Sequence, residues 1–335
     1  MNDQIAKLKS SVVNTGKLLW DKDLVSGLNG NISARVDAQR IVLTATKTCL
    51  GMLSETDVLM MKISGELLEK GEVSTERLLH TSIYQNFPDI NAVVHSHTNY
   101  TSGYFLVNET FTPKIFESRF YLGEVHSIPQ ATPAVNDIKP VIAELKKNNI
   151  VVLRNHGVVA MGKNLFDCFL LIQSLEDAIL IDAVARHFKP GDELLVNRPV
   201  AVKEVLEPVV SKYKLFSQEQ IDEIVRVVNA DKKLKELGQQ TAMNMDLAVK
   251  LDETGQIYSF RFRNGNITEV GNDKDAEFLV SAPEVIWRQV FNREIDPFVA
   301  TTQKKMNLRG DFARISKWYA PCSRVFELWH RVPVE

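Results

Sequence analysis

Three cysteines, Cys49, Cys168 and Cys322, are all that 335 residues carry. They are few, odd in number and far apart, so no disulfide framework is implied, and reduced thiols in the cytoplasm are the expectation. The chain also lacks any apolar run near the ~20 residues that a bilayer-spanning helix needs. Its opening stretch, MNDQIAKLKSSVVNTGKLLW, has the spacing of an amphipathic helix and not the unbroken apolar segment of a signal peptide. Neither charge dominates: 40 Lys and Arg face 42 Asp and Glu, a net charge of -2. Nucleic-acid binding draws on clustered basic residues, so this balance argues against nucleic acid as the main partner. There is no internal repeat and no low-complexity tract.

What is present is an ordinary globular composition, 44% hydrophobic and 24% charged, over a length that suggests two domains. The first half alternates helical and extended patterns. Apolar spacing predicts a helix over 3–20, and strands are expected at 40–45 and 57–63, with 64–71 as a hairpin-like return. A helix over 75–87 stops before Pro88, and Ser74 is its expected cap. A strand at 91–97 leads into a helix from Asn99, and 148–162 reads as strand, turn and strand. Residues 164–188 form a long helix, apolar on more than one side, which suggests burial against another subunit. The pattern changes after Lys189-Pro190-Gly191, placing the boundary within 190–216. A helix over 217–237 is expected to open on Ser217, with Gln220 completing a capping box. Four short strands follow, then a helix with Pro283 at its first position, a strand in KMNLRGD, and a final helix over 312–330.

The stretch VVHSHTNY (93–100) concentrates chemistry. Residues two apart on a strand share a face, so His95 and His97 can reach one point. His156, in IVVLRNHGVV, occupies a similar strand end. Three imidazoles so placed can bind a divalent ion and leave a position open; zinc suits them, and so do Mn, Fe and Co. The alternative is that they are ordinary strand-end histidines. His80, His126, His187 and His330 read as plain surface or core histidines. Glu76, at a helix start, either complements the helix dipole or faces the metal. Gly30 and Asn31 in NGNIS form either a plain turn or an anion loop, and Thr44, Thr46 and Lys47 follow a strand.

Taken in order, GNIS, LTATK, STE, VVHSHTNY and LRNHGVVAMG, followed by a long helix, resemble the class II aldolase and adducin-head superfamily over residues 4–212. The resemblance implies an α/β fold with a central sheet flanked by helices. It also implies a divalent metal, expected to be zinc, on His95, His97 and His156. Glu76 would be the proton carrier and a candidate fourth ligand in the resting enzyme. Gly30, Asn31, Thr44, Ser74 and Thr75 would line the pocket for a substrate's anionic group, with Lys47 added by this chain. Members of the family are tetramers, so a homotetramer is expected. Adducin heads lack the metal histidines, whereas this chain has all three, which favours an enzyme. The expected activity is a lyase acting on a small anionic hydroxy-carbonyl compound: aldol cleavage, or a related decarboxylation, epimerisation or dehydration, through an enediolate. Two positions depart from the family. Its phosphate loop often reads Thr-Pro-Thr-Gly or Thr-Pro-Ser-Gly, against Thr44-Ala45-Thr46-Lys47 here. Where the aldolases use a tyrosine, this chain aligns Phe116 or Glu117, with Tyr121 displaced. Phosphate as the anion, and the protonation step of a true aldolase, are thereby put in question.

The C-terminal pattern, over 217–335, resembles the sterol carrier protein fold. That implies domains at 1–212 and 213–335, the second an α+β domain with a curved sheet and an apolar tunnel. Phe260, Phe262, Trp287, Val290, Phe291, Phe298, Trp318, Phe326 and Trp329 would either line a cavity for an apolar ligand or fill a small core. The competing function is an apolar-ligand carrier or interaction protein that uses the aldolase-like half as a scaffold.

Overall fold

Strand after strand in the first half alternates its apolar side chains between two faces, and the computed structural model shows where each set goes. It describes residues 2–130, 132–188, 212–311, 315 and 317–335. Two compact units are present, Met1–Arg198 and Pro199–Glu335. The expected boundary region lies mostly outside the described residues, as does most of 312–316.

In the first unit, α1 (Asn2–Asp21) precedes β1 (Asn31–Arg35), β2 (Arg40–Thr44) and β3 (Val58–Lys62). Then come α2 (Arg77–Asn86), β4 (Ala92–Ser96), α3 (Asn99–Phe105), β5 (Thr110–Phe111), α4 (Phe116–Leu122) and β6 (Val125–Pro129). The unit closes with α5 (Lys139–Lys147), β7 (Ile150–Arg154), β8 (Gly157–Gly162) and α6 (Leu165–Phe188). The eight strands form one sheet in the order β3-β2-β1-β4-β8-β7-β6-β5, with β6–β7 as its parallel pair. Val42, Val94, Val152 and Val158 point to one face, where residues of α1 and α6 cover them. Ile41, Val93, Val151 and Val159 point to the other, under Leu79 and Ile83 of α2 and Leu145 of α5. This is the mixed α/β fold expected, with a sheet between helical layers. The hairpin-like return at 64–71 is reduced to a single bridge between Met61 and Leu67. No helix among the described residues is long and apolar enough to cross a membrane.

The second unit has α7 (Gln218–Ala230), α8 (Lys232–Gln240), β9 (Asn244–Leu251), β10 (Ile257–Arg263), β11 (Asn266–Gly271) and β12 (Phe278–Ala282). These are followed by α9 (Glu284–Phe291), α10 (Pro297–Thr302), β13 (Asn307–Arg309) and α11 (Tyr319–Trp329). Its sheet runs β11-β10-β9-β12-β13, with β9 and β12 parallel. The expected single helix over 217–237 is two. Asp231 breaks it by accepting the Leu234 N–H at 2.7 Å as the cap of α8, and it is held there by Arg324. Gln220 does not complete a capping box; its side-chain oxygen takes the Phe216 N–H at 2.6 Å instead. Pro283 is the cap of α9 rather than its first residue. The aromatic residues proposed as a cavity lining pack on one another. Phe291 stacks on Trp329 at 5.5 Å, and Phe326 meets both Trp329 and Phe298 at 5.1 Å, so these rings fill the unit's core.

Candidate metal centre and proton-transfer site

Sheet register builds the site. β1 and β4 are antiparallel with Asn31 opposite His95, and β4 pairs with β8, whose hairpin from β7 carries His156 in its turn. His95 shares its face with Val93, the face that α2 covers, and the amino end of α2 carries Glu76. The ring centroids of His95, His97 and His156 lie 4.7–4.9 Å from one another. Such crowding requires Gly157: a Cβ there would come within 2.4 Å of the Ser96 carbonyl and 3.0 Å of both the His95 and His97 rings. Gly30, at φ 84°, is needed for the same reason, since its Cβ would sit 2.9 Å from the His95 carbonyl oxygen.

The electrostatics suit a cation. His95 is fully buried and donates its Nδ1–H to the Val158 carbonyl at 3.0 Å, which leaves the Nε2 lone pair facing the cluster. That atom lies 2.9 Å from Nε2 of His97 and 3.1 Å from Oε2 of Glu76. Burial, and then the neighbouring imidazoles, push the His95 pKa well below 6.5. Burial and His156 lower that of His97 to about 4. Both rings are therefore neutral near pH 7, the form that coordinates metal. Two buried polar atoms here, Oε1 of Glu76 and Nδ1 of His156, have no hydrogen-bond partner. Neutral imidazoles converging on a buried carboxylate, with polar atoms left over, fit a divalent ion. The three histidines could hold a metal.

The local reading of the helix start is corrected. Ser74 does not cap α2; Glu76 is the capping residue, and the Ser74 hydroxyl accepts the Glu76 N–H at 3.2 Å. The Glu76 carboxylate turns inward, 5% exposed, where Nδ2 of Asn31 donates to Oε2 at 3.3 Å. The Thr44 hydroxyl accepts the Ile32 N–H at 3.2 Å, and the Thr44 carbonyl accepts the Ser74 N–H at 3.1 Å. Gly30, Asn31, Thr44, Ser74 and Glu76 are thus joined around one place. Thr75 and Lys47 have exposed side chains, and Lys47 adopts the left-handed backbone conformation, φ 60°.

Two residues that sequence reasoning passed over belong here. His80 lies one turn beyond Glu76 on α2 and contacts Asn31; the four-residue spacing was the available signal. Glu176 of α6 receives the backbone N–H groups of Tyr100 and Thr101, and nothing local announces it.

Comparisons with known proteins bear on the family and fold of the first unit. Residues 10–182 match the family profile described as Class II Aldolase and Adducin N-terminal domain. An L-fuculose phosphate aldolase from Methanocaldococcus jannaschii is 28% identical over 169 residues, half of this chain and 92% of its own length. A 3-oxo-tetronate 4-phosphate decarboxylase from Haemophilus influenzae is 29% identical over 182 residues, half of this chain and 83% of its own length. The crystal structure of L-fuculose-1-phosphate aldolase from Thermus thermophilus superposes with a TM-score of 0.52 at 23% identity, covering 57% of this chain and all of that one. It shares the fold.

Proposed function

Since the chain belongs to the Class II Aldolase and Adducin N-terminal domain family and is a class II aldolase-like lyase, we propose that it acts on a small, anionic hydroxy-carbonyl compound with a zinc ion on His95, His97 and His156. The observation that carries this reading is the placement of Glu76. Its carboxylate is buried 3.1 Å from His95 Nε2, and its other oxygen, 3.8 Å from His156 Nε2, has no hydrogen-bond partner. A bound divalent ion would polarise the substrate's carbonyl and so ease loss of a neighbouring proton or breakage of the adjacent C–C bond. Glu76 moves the proton. In the cleavage direction, the departing fragment's hydroxyl becomes a carbonyl and gives its proton to the Glu76 carboxylate, the bond's electron pair stays on the carbonyl-bearing fragment, and the protonated carboxyl of Glu76 then delivers that proton to its carbon. In the reverse direction, the carboxylate removes it. Asn31, Thr44 and Ser74 lie beside Glu76 and offer amide and hydroxyl groups to the anion. The names of both relatives carry a phosphorylated sugar or acid, which supports phosphate as that group, and the exposed Lys47 supports a carboxylate equally.

In this reading residues 1–212 form the catalytic domain and 213–335 a sterol-carrier-protein-like domain. The three free cysteines support a cytoplasmic location. Exposed Phe166, Ile181 and Val184 on α6 suit the homotetramer that the family resemblance implies.

The test is carbon–hydrogen exchange. Zinc-loaded protein is incubated in D2O with dihydroxyacetone phosphate, a small phosphorylated hydroxy ketone, and proton loss is followed by NMR. Exchange should fall by on the order of 10²–10⁴ in Glu76→Gln, with metal content retained. Undiminished exchange in that variant overturns the role of Glu76.

A further inference from the structure

We propose that His80 is a positioning residue for Glu76, acting through Asn31; this rests on Glu76 as the proton carrier. His80, Ser33 and Tyr84 are buried in a layer otherwise filled by aliphatic side chains. Nε2 of His80 lies 2.5 Å from Oδ1 of Asn31, and Nδ1 lies 2.6 Å from the Ser33 hydroxyl, which is 3.0 Å from the Tyr84 hydroxyl.

Chemistry fixes the direction of every link. A carboxylate only accepts, so Asn31 must turn its NH2 to Glu76 and its carbonyl oxygen to His80. That oxygen also only accepts, so His80 must carry its proton on Nε2. With burial lowering its pKa to about 3, His80 holds one ring proton near pH 7, and Nδ1 is then an acceptor. Ser33 donates to Nδ1 and is free to accept from Tyr84. The result is a chain of donors running from Tyr84 through Ser33, His80 and Asn31 to the carboxylate. If His80 presented a bare nitrogen to Asn31, the amide would flip, and an oxygen would face the oxygen of Glu76.

A core histidine that merely fills space would affect stability. One that orients Asn31 affects turnover, because small misplacement of a reacting group can cost up to ~10²-fold. Exchange of dihydroxyacetone phosphate protons is compared in full-length, zinc-loaded wild type, His80→Gln, His80→Asn and His80→Leu. Glutamine can present an N–H near the position of Nε2; asparagine and leucine cannot. The expected result is kcat lowered about 10–100-fold in the Asn and Leu variants, with KM and zinc content near wild type and the larger part of kcat restored in Gln. Should His80→Leu fail to fold, the Gln and Asn pair decides. Wild-type kcat in His80→Asn, or equal loss in Gln and Asn, overturns the proposal while leaving Glu76 in place. No loss in Glu76→Gln, or no exchange by the wild type, overturns the underlying reading and this one with it.

Discussion

Glu176 closes the amino end of α3 from a distance of 75 residues along the chain. Its Oε2 accepts both the N–H and the hydroxyl of Thr101, at 2.8 and 2.7 Å, while Oε1 accepts the Tyr100 N–H at 2.8 Å. Thr98, the helix's own capping residue, contributes no side-chain bond. A carboxylate from α6 thus does the work of a local cap, one residue beyond His97. Removing it leaves buried donors unpaired, so Glu176→Ala should lower stability by about 1.5–3 kcal/mol. Because α3 starts just past the histidines proposed to hold zinc, zinc affinity should fall as well. Denaturant melts with matched metal titrations check both, and unchanged stability would show that water replaces the carboxylate without loss.

The metal assignment makes a prediction of its own. Purified protein should bind about one zinc ion per chain, the stoichiometry of a single three-histidine site. His97→Ala, which removes a ligand that is only partly buried, should lose most of it while retaining its helical circular dichroism. Chelation of the wild type should lower the thermal midpoint, since a ligand that binds only the folded state stabilises it. Full occupancy in His97→Ala would reject the site.

The parts of this site that could be read in the sequence are those whose partners are close in the chain. His95 and His97 are two apart on a strand, and their shared face follows from pleat geometry alone. Glu76 is the opposite case. Judged by its neighbours it is a helix-start acid, and only the packing of α2 over β4 turns its carboxylate toward Asn31 and His95. The family resemblance named Glu76, whereas nothing named His80 and Glu176, whose partners Asn31 and Tyr100 are also distant in the chain. The fold shows a similar division: the strongly periodic strands and α6 were legible, whereas β5 and β6, with mixed burial, were not. The break at Asp231 was hidden because neither glycine nor proline marks it. It depends on Arg324, 93 residues away.

Acid should reveal His80. Its pKa in the folded protein, about 3, lies below the ~6.5 of an unfolded chain. Between these values the unfolded state binds a proton that the folded state refuses. The stability it supports is therefore fully present above pH 6.5 and is lost as the pH falls toward 3. For one such histidine the slope approaches about 1.4 kcal/mol per pH unit. His80→Gln has no such group, so its stability should fall less steeply than wild type from pH 6.5 to 4. Parallel pH–stability curves for the two proteins would show that His80 is solvated.

Lys47 sets stability against binding. It occupies the left-handed region at φ 60°, where a side chain costs ~1–2 kcal/mol that glycine avoids. A lysine held there on the loop that leaves Thr44 at the end of β2 is what an anion-binding role would retain despite the strain. Lys47→Gly should therefore melt higher, by up to about 1 kcal/mol of stability once the glycine's added freedom in the unfolded chain is set against the relief. The same change should raise KM for an anionic substrate, and more at low ionic strength than at high, because salt already screens the ammonium. Lys47→Ala separates the two effects: it keeps the backbone strain and removes the charge, so it should share the KM increase without the gain in stability. If both variants keep the wild-type KM at low salt, the ammonium serves only the solvent, and Asn31, Thr44 and Ser74 are left to hold the anion.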